Sequence, residues 1–119
     1  FKHLNSSKFF ILGTANLDPI KGQGRHKAIQ SLLDHSRLQD TSAKSTQHGS
    51  DTVDWPEPSP GDMRVDYVLP SADWRVVQSG VFWPDARTSG AETIESDVVA
   101  ASRHRLVWVD VSLSDTAGF

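Results

Sequence analysis

The 119-residue chain sets twelve Lys and Arg against fifteen Asp and Glu, a formal charge of −3, so no global basic field would draw in nucleic acid, and a nucleic-acid partner is not expected. An apolar share of 37% and a charged share of 23% suit one globular domain over residues 1–119 and not a disordered chain. Cysteine is absent, which excludes disulfides, thiolate metal sites and a cysteine nucleophile, and no apolar run approaches the ~18 residues of a membrane helix, so no membrane partner is expected.

Taken in order, Phe1-Lys2-His3-Leu4-Asn5 has neither a Met nor a signal-peptide pattern and reads as a trimmed or truncated end, which leaves the compartment open. Phe9-Phe10-Ile11-Leu12 is a short continuous apolar run stopped by Gly13, the pattern of a strand buried on both faces. Thr14 to Pro19 then forms a loop, with a turn favoured at Asp18-Pro19 because proline restricts the residue before it. Past Gly22-Gln23-Gly24, residues 25–35 read as a helix that lays Ala28, Ile29, Leu32 and Leu33 on a sheet.

Residues 36–62 lose all periodicity: they are Ser/Thr-rich from Thr41 to Ser50 and Pro-rich from Trp55 to Gly61. They are expected to form a long surface loop, mobile in its first half and pinned at its far end by Trp55. Met63, Val65, Tyr67 and Leu69 alternate with Arg64, Asp66 and Val68 as a strand. Trp74 to Pro84 follows as another, with a bend expected at Gly80. Residues 91–101 could hold a turn or two of helix, and residues 106–111 form the last strand. Four strands with one clear helix give an α/β or α+β layer.

Three strand ends carry the polar chemistry: Gly13-Thr14-Ala15-Asn16-Leu17-Asp18-Pro19, Arg64-Val65-Asp66-Tyr67, and Ser102-Arg103-His104-Arg105-Leu106-Val107. In order and spacing they resemble three motifs of the endonuclease/exonuclease/phosphatase superfamily: Gly-Asp-Phe-Asn followed by Ala-Asp-Pro, Arg-hydrophobic-Asp-Tyr, and Ser-Asp-His before a hydrophobic strand. The resemblance covers nearly the whole chain and corresponds to the C-terminal half of that fold. It implies half of a four-layer α/β/β/α sandwich with a mixed β-sheet and an active site at the strand ends. There a divalent metal, usually Mg²⁺, and a water attack a phosphate ester.

By the same resemblance, Asn16 would contact the phosphate, Asp66 would orient His104, and His104 would steady the phosphoryl group. Two positions depart. Thr14 stands where the family's water-activating Asp belongs, and Arg103 where the Asp before the His belongs. A threonine hydroxyl cannot take a proton from water near pH 7, and losing a positioned base typically costs about 10²–10⁴ in rate. A guanidinium in place of a carboxylate repels a cation that wants oxygen ligands. The expected function is therefore a degenerate, catalytically inactive half-domain that holds no metal and at most binds a phosphate-like anion through Asn16, Arg103 and His104. The alternative is an active Mg²⁺-dependent phosphoesterase or nuclease with a rearranged site.

Plainer readings stand beside these. Asp66 and His104 could be a structural hydrogen-bonded pair, Asn16 and Asp18 could shape the turn, Arg103 and Arg105 could pair with acidic neighbours, and His3, His26, His35 and His48 could be solvated. A half-sandwich would expose an apolar sheet face, which soluble monomers rarely tolerate. A homodimer through that face is expected, or else a fragment whose natural partner is the family's N-terminal half.

Overall fold

The computed structural model describes residues 8–84 and 102–113. In chain order these form β1 (Phe10–Thr14), α1 (His26–Leu33), β2 (Asp66–Pro70), β3 (Arg75–Phe82) and β4 (Leu106–Ser112). β1 pairs antiparallel with β2, and β3 with β4. The helical turns expected within residues 91–101 lie outside the described residues.

The centre of the presumed surface loop joins the two strand pairs. Val53 bridges Met63, just before β2, and also His104, just before β4. The Thr52 and Val53 amides donate to the Met63 carbonyl (2.8 and 3.2 Å), while the Asp54 amide donates to the Arg103 carbonyl (2.9 Å) and the Arg105 amide to the Thr52 carbonyl (2.7 Å). Thr52 and Val53 are among the most buried side chains described. Residues 52–54 thus form a short extended wedge where the sequence showed only a loop. One alternating step is too short to register as a period.

The helix buries Ile29 against Tyr67 and Leu69, with Leu17, Leu32, Leu33 and Leu38 packed around them. A second cluster gathers Val53, Met63 and Val65, and Trp55 packs on it as the anchor expected at the loop's far end. Asp18 ties the two regions together. Its Oδ1 accepts from the Ile20 and Lys21 amides (2.8 Å each) and its Oδ2 from the Arg64 amide (2.7 Å). That is the work of a turn residue and not of a ligand.

Directly opposed residues share a face of a sheet. The register of β1 on β2 therefore puts Ile11, Gly13, Tyr67 and Leu69 toward α1, and Phe10, Leu12, Thr14, Asp66 and Val68 on the other side. The same rule groups Phe82, Leu106, Gly80 and Trp108. The Leu12 face of the first pair and the Leu106 face of the second are each poorly covered. Leu12 is 66% exposed and Leu106 64%. The expectation that the first strand is buried on both faces is not met within these residues: every residue of β1 is exposed, although Phe10 stacks on Trp74 at 5.0 Å between ring centroids.

Two more details differ from expectation. The irregularity in β3 is a register shift between Val76 and Gln78, whereas the bend was expected at Gly80. Gly80 instead admits the indole of Trp108, since a Cβ there would come within 2.6 Å of that ring. His48, expected to be solvated, stacks on Trp83 at 3.8 Å between ring centroids, and His35 Nδ1 accepts from the Arg37 amide.

Beside the helix, Arg64 grips Asp40 with both guanidinium nitrogens (2.6 and 3.1 Å) and lies over the Tyr67 ring. Burial works against the Asp40 charge, but the hydrogen bonds from Arg64 and Ser42 and the Arg64 charge outweigh it and hold the carboxyl below its ordinary pKa. The Tyr67 hydroxyl meets the carbonyls of Leu17 (2.6 Å) and Arg64 (2.9 Å). Burial pushes its pKa up from 10.0 to about 12; the Arg64 charge opposes the rise, and nearby Asp18, Asp40 and Asp66 add to it. The unfolded chain thus loses the phenolic proton first, so the Tyr67 contribution is fully present below the lower value and is lost as pH climbs between the two. The Tyr67 share of that alkaline loss is on the order of 1–3 kcal/mol. We predict that Tyr67→Phe costs about 1–2 kcal/mol at neutral pH and flattens this slope. Urea unfolding at pH 7 and pH 11 checks it, and an unchanged slope in the variant would refute it.

Candidate functional site

The site begins with a carboxylate that the fold half-buries. Asp66 opens β2 directly across from Thr14, so the two side chains rise from the same face of the strand pair. The Thr14 hydroxyl donates to Asp66 Oδ1 at 2.5 Å. From the wedge, the Thr52 hydroxyl donates to Asp66 Oδ2 at 2.8 Å and accepts from the Val65 and Asp66 amides at 3.0 Å each. His104 Nδ1 lies 2.9 Å from Oδ2 and 3.1 Å from Oδ1. The Asp66 side chain is 14% exposed and that of His104 37%.

This arrangement sets protonation states. An ionised carboxylate only accepts, so His104 Nδ1 must carry the hydrogen, which leaves Nε2 as the nitrogen on the far side of the ring. With Nε2 unprotonated the ring offers an acceptor there; with Nε2 protonated it offers a donor whose positive charge Asp66 balances. Trp55 stands edge-on to the imidazole, 6.1 Å between centroids, and the Ser102 hydroxyl accepts from the His104 amide at 3.0 Å. The Trp55 contact and the bonds to Asp66 restrict how the ring can turn.

Thr14 is a donor in this network. Its single hydroxyl proton is committed to Asp66, so it takes no proton from a water. A carboxylate at position 14 would face Asp66 across a similar gap, and two carboxylates that close demand a shared proton or a cation between them. The hydroxyl removes that demand.

Of the sequence-predicted residues, the structure joins Asp66 to His104 directly and draws Thr14 into the same cluster. Asn16 lies two residues beyond Thr14, exposed and with φ of 54°, a left-handed conformation that asparagine tolerates better than most residues. That conformation supports its turn-shaping reading. Arg103 donates from Nη1 to the Asp54 carbonyl at 3.1 Å. Arg105 is buried, reaches Asp54 Oδ2 at 3.3 Å, and sits over the Trp83 ring, so its pairing with an acidic neighbour is present.

Thr52 is the residue that reading the sequence missed. Only its place in Asp51-Thr52-Val53-Asp54, a polar–apolar alternation before a tryptophan, could have hinted at a strand fragment. A buried amide left without an acceptor costs on the order of 1–3 kcal/mol, and Thr52 serves two.

Among the described residues, no group of three His, Cys, Asp or Glu side chains could hold a metal ion. The cluster itself offers one carboxylate, Asp66, whose oxygens already accept from two hydroxyls and an imidazole. That donor set does not fit Mg²⁺, which wants several oxygen ligands in octahedral geometry. A cavity of about 330 Å³ does lie near Asp18, Lys21, Asp51 and Arg64, but its charged groups are already engaged with one another, with Asp40 or with backbone amides. None of the helices described is long and apolar enough to cross a membrane.

A model of the Endonuclease/Exonuclease/phosphatase family matches residues 2–111. No curated protein and no solved structure gives a match.

Proposed function

From the premise that the chain belongs to the endonuclease/exonuclease/phosphatase family, we propose that it is a phosphoesterase-fold domain which holds a phosphate-like anion and does not hydrolyse it. The observation that carries this reading is the saturation of Asp66 by Thr14, Thr52 and His104. In the family, a carboxylate at the position of Thr14 helps activate water, and the acid at the position of Arg103 faces the metal. Here the first is a hydroxyl that donates, and the second is a cation.

What remains suits binding. The Asp66–His104 pair presents Nε2 outward, and a protonated imidazole donates to a phosphate oxygen while Asp66 balances its charge. The Asn16 amide and Arg103, both at the strand ends, would add donors to the same anion. The family is generally metal-dependent, yet the donor set around Asp66 does not fit Mg²⁺, so no step of this function passes through a metal.

Bis(4-nitrophenyl) phosphate and plasmid DNA, each with Mg²⁺ or Mn²⁺, test this reading. The chain should hydrolyse neither faster than His104→Ala does, and inorganic phosphate should shift the His104 ring resonances. Turnover that His104→Ala abolishes would favour instead an active phosphoesterase with a rearranged site.

The same reading gives the uncovered face a role. Phe10 and Leu12 lie on the side of the β1–β2 pair that carries Asp66, and a second copy packing there through a two-fold interface would bury them beside the site. The family's N-terminal half is the competing cover. Light scattering at low micromolar concentration should give the mass of a dimer, and a clean monomer would sink the homodimer.

A further inference from the structure

Away from Asp66, the outer edge of β3 forms one wall of an open groove of about 300 Å³. The other wall is Lys44-Ser45-Thr46-Gln47, attached where the Val81 amide donates to the Lys44 carbonyl at 3.0 Å. This wall is a closed turn. The Ser45 amide donates to the Gly49 carbonyl (2.9 Å), and the His48 amide to the Ser45 hydroxyl (3.0 Å). The turn is also clipped to the strand pair by the stack of His48 on Trp83, a ring that Arg105 in turn holds.

Two tryptophans line the groove, and one of them is there because of a glycine. Three atoms of the Trp108 indole, including Nε1, lie within 3.0 Å of where a Gly80 Cβ would be, so the ring lies over the strand in space that any other residue would fill. Beside it in the groove stand Phe82 from β3 and Thr46 and Gln47 from the turn, the last two exposed.

We propose that this groove binds a sugar ring, packed on the Trp108 indole and hydrogen-bonded by the hydroxyl and amide side chains beside it. An indole offers a flat apolar surface with a negative face, suited to the C–H groups of a pyranose. Ser, Thr and Gln side chains both donate and accept, as sugar hydroxyls do. A few polar groups around an aromatic surface are the usual makeup of a small-molecule site. A nucleic-acid strand would call for a track of cations along its backbone, whereas this groove supplies one, Lys44, in a chain of net charge −3. The site is independent of the phosphate-binding reading.

The test is a titration of the intact chain with maltose and with cellobiose, followed through the Trp108 indole N–H resonance. One disaccharide should shift that resonance saturably. Trp108→Leu, which removes that probe, should abolish the heat of sugar binding in calorimetry, and Gln47→Ala and Gly80→Ala should each weaken binding by about tenfold, the latter by displacing the indole without removing it. Gln47 is exposed, so its variant stays informative if those at the strands fail to fold. His104→Ala should leave sugar binding unchanged. No saturable shift with either disaccharide overturns the proposal, as does a shift produced by AMP and by neither sugar, which would mark a base-stacking surface instead.

Discussion

A carboxylate taken half out of water must find donors, and much of the described structure is arranged around meeting that need for Asp66. An ionised side chain at 14% exposure is unstable without compensation. Three donors arrive from three distant parts of the chain: Thr14 from β1, Thr52 from the wedge and His104 from the entrance to β4. Each has to be brought there by backbone pairing. The ladder of β1 on β2 places Thr14, and the wedge, hydrogen-bonded to both strand pairs, places Thr52 and His104 together. Without residues 52–54, neither the junction between the pairs nor the geometry of the site would exist.

The same need decides the chemistry. A phosphoesterase site keeps carboxylates underused so that a cation and a water can exploit them. Here the carboxylate's capacity is spent within the protein. Thr14 bonds to Asp66 where a carboxylate would repel it, which favours local stability. The His104 imidazole, 37% exposed, keeps its far edge away from Asp66, and the proposed anion binding rests on that edge.

The share of this that was legible in the sequence follows from range. The helix and four strands announce themselves through periodic apolar residues, and each lies within a few residues of its expected limits. Asp66 and His104 could be named because their motifs sit on strand ends with strong patterns behind them. Thr52 could not, because its segment is three residues long and its partners are eleven to fifty-three residues away. Gly80 was read as a bend, since a glycine in a strand signals either a bend or a close approach, and only the position of Trp108 decides between them. The first strand's apolar run was read as burial on both faces. The composition suits a buried strand, yet every residue of β1 is exposed within the described structure.

The claim on which the rest stands is that Asp66 takes its hydrogen bond from Nδ1 of His104 and leaves Nε2 facing outward. Long-range ¹H–¹⁵N spectra of the histidine rings, recorded at a pH where His104 is neutral, report the tautomer directly. A protonated Nδ1 and a bare Nε2 on His104 are expected. A His104 ring carrying its hydrogen on Nε2 would contradict this, because Nδ1 would then have nothing to give Asp66.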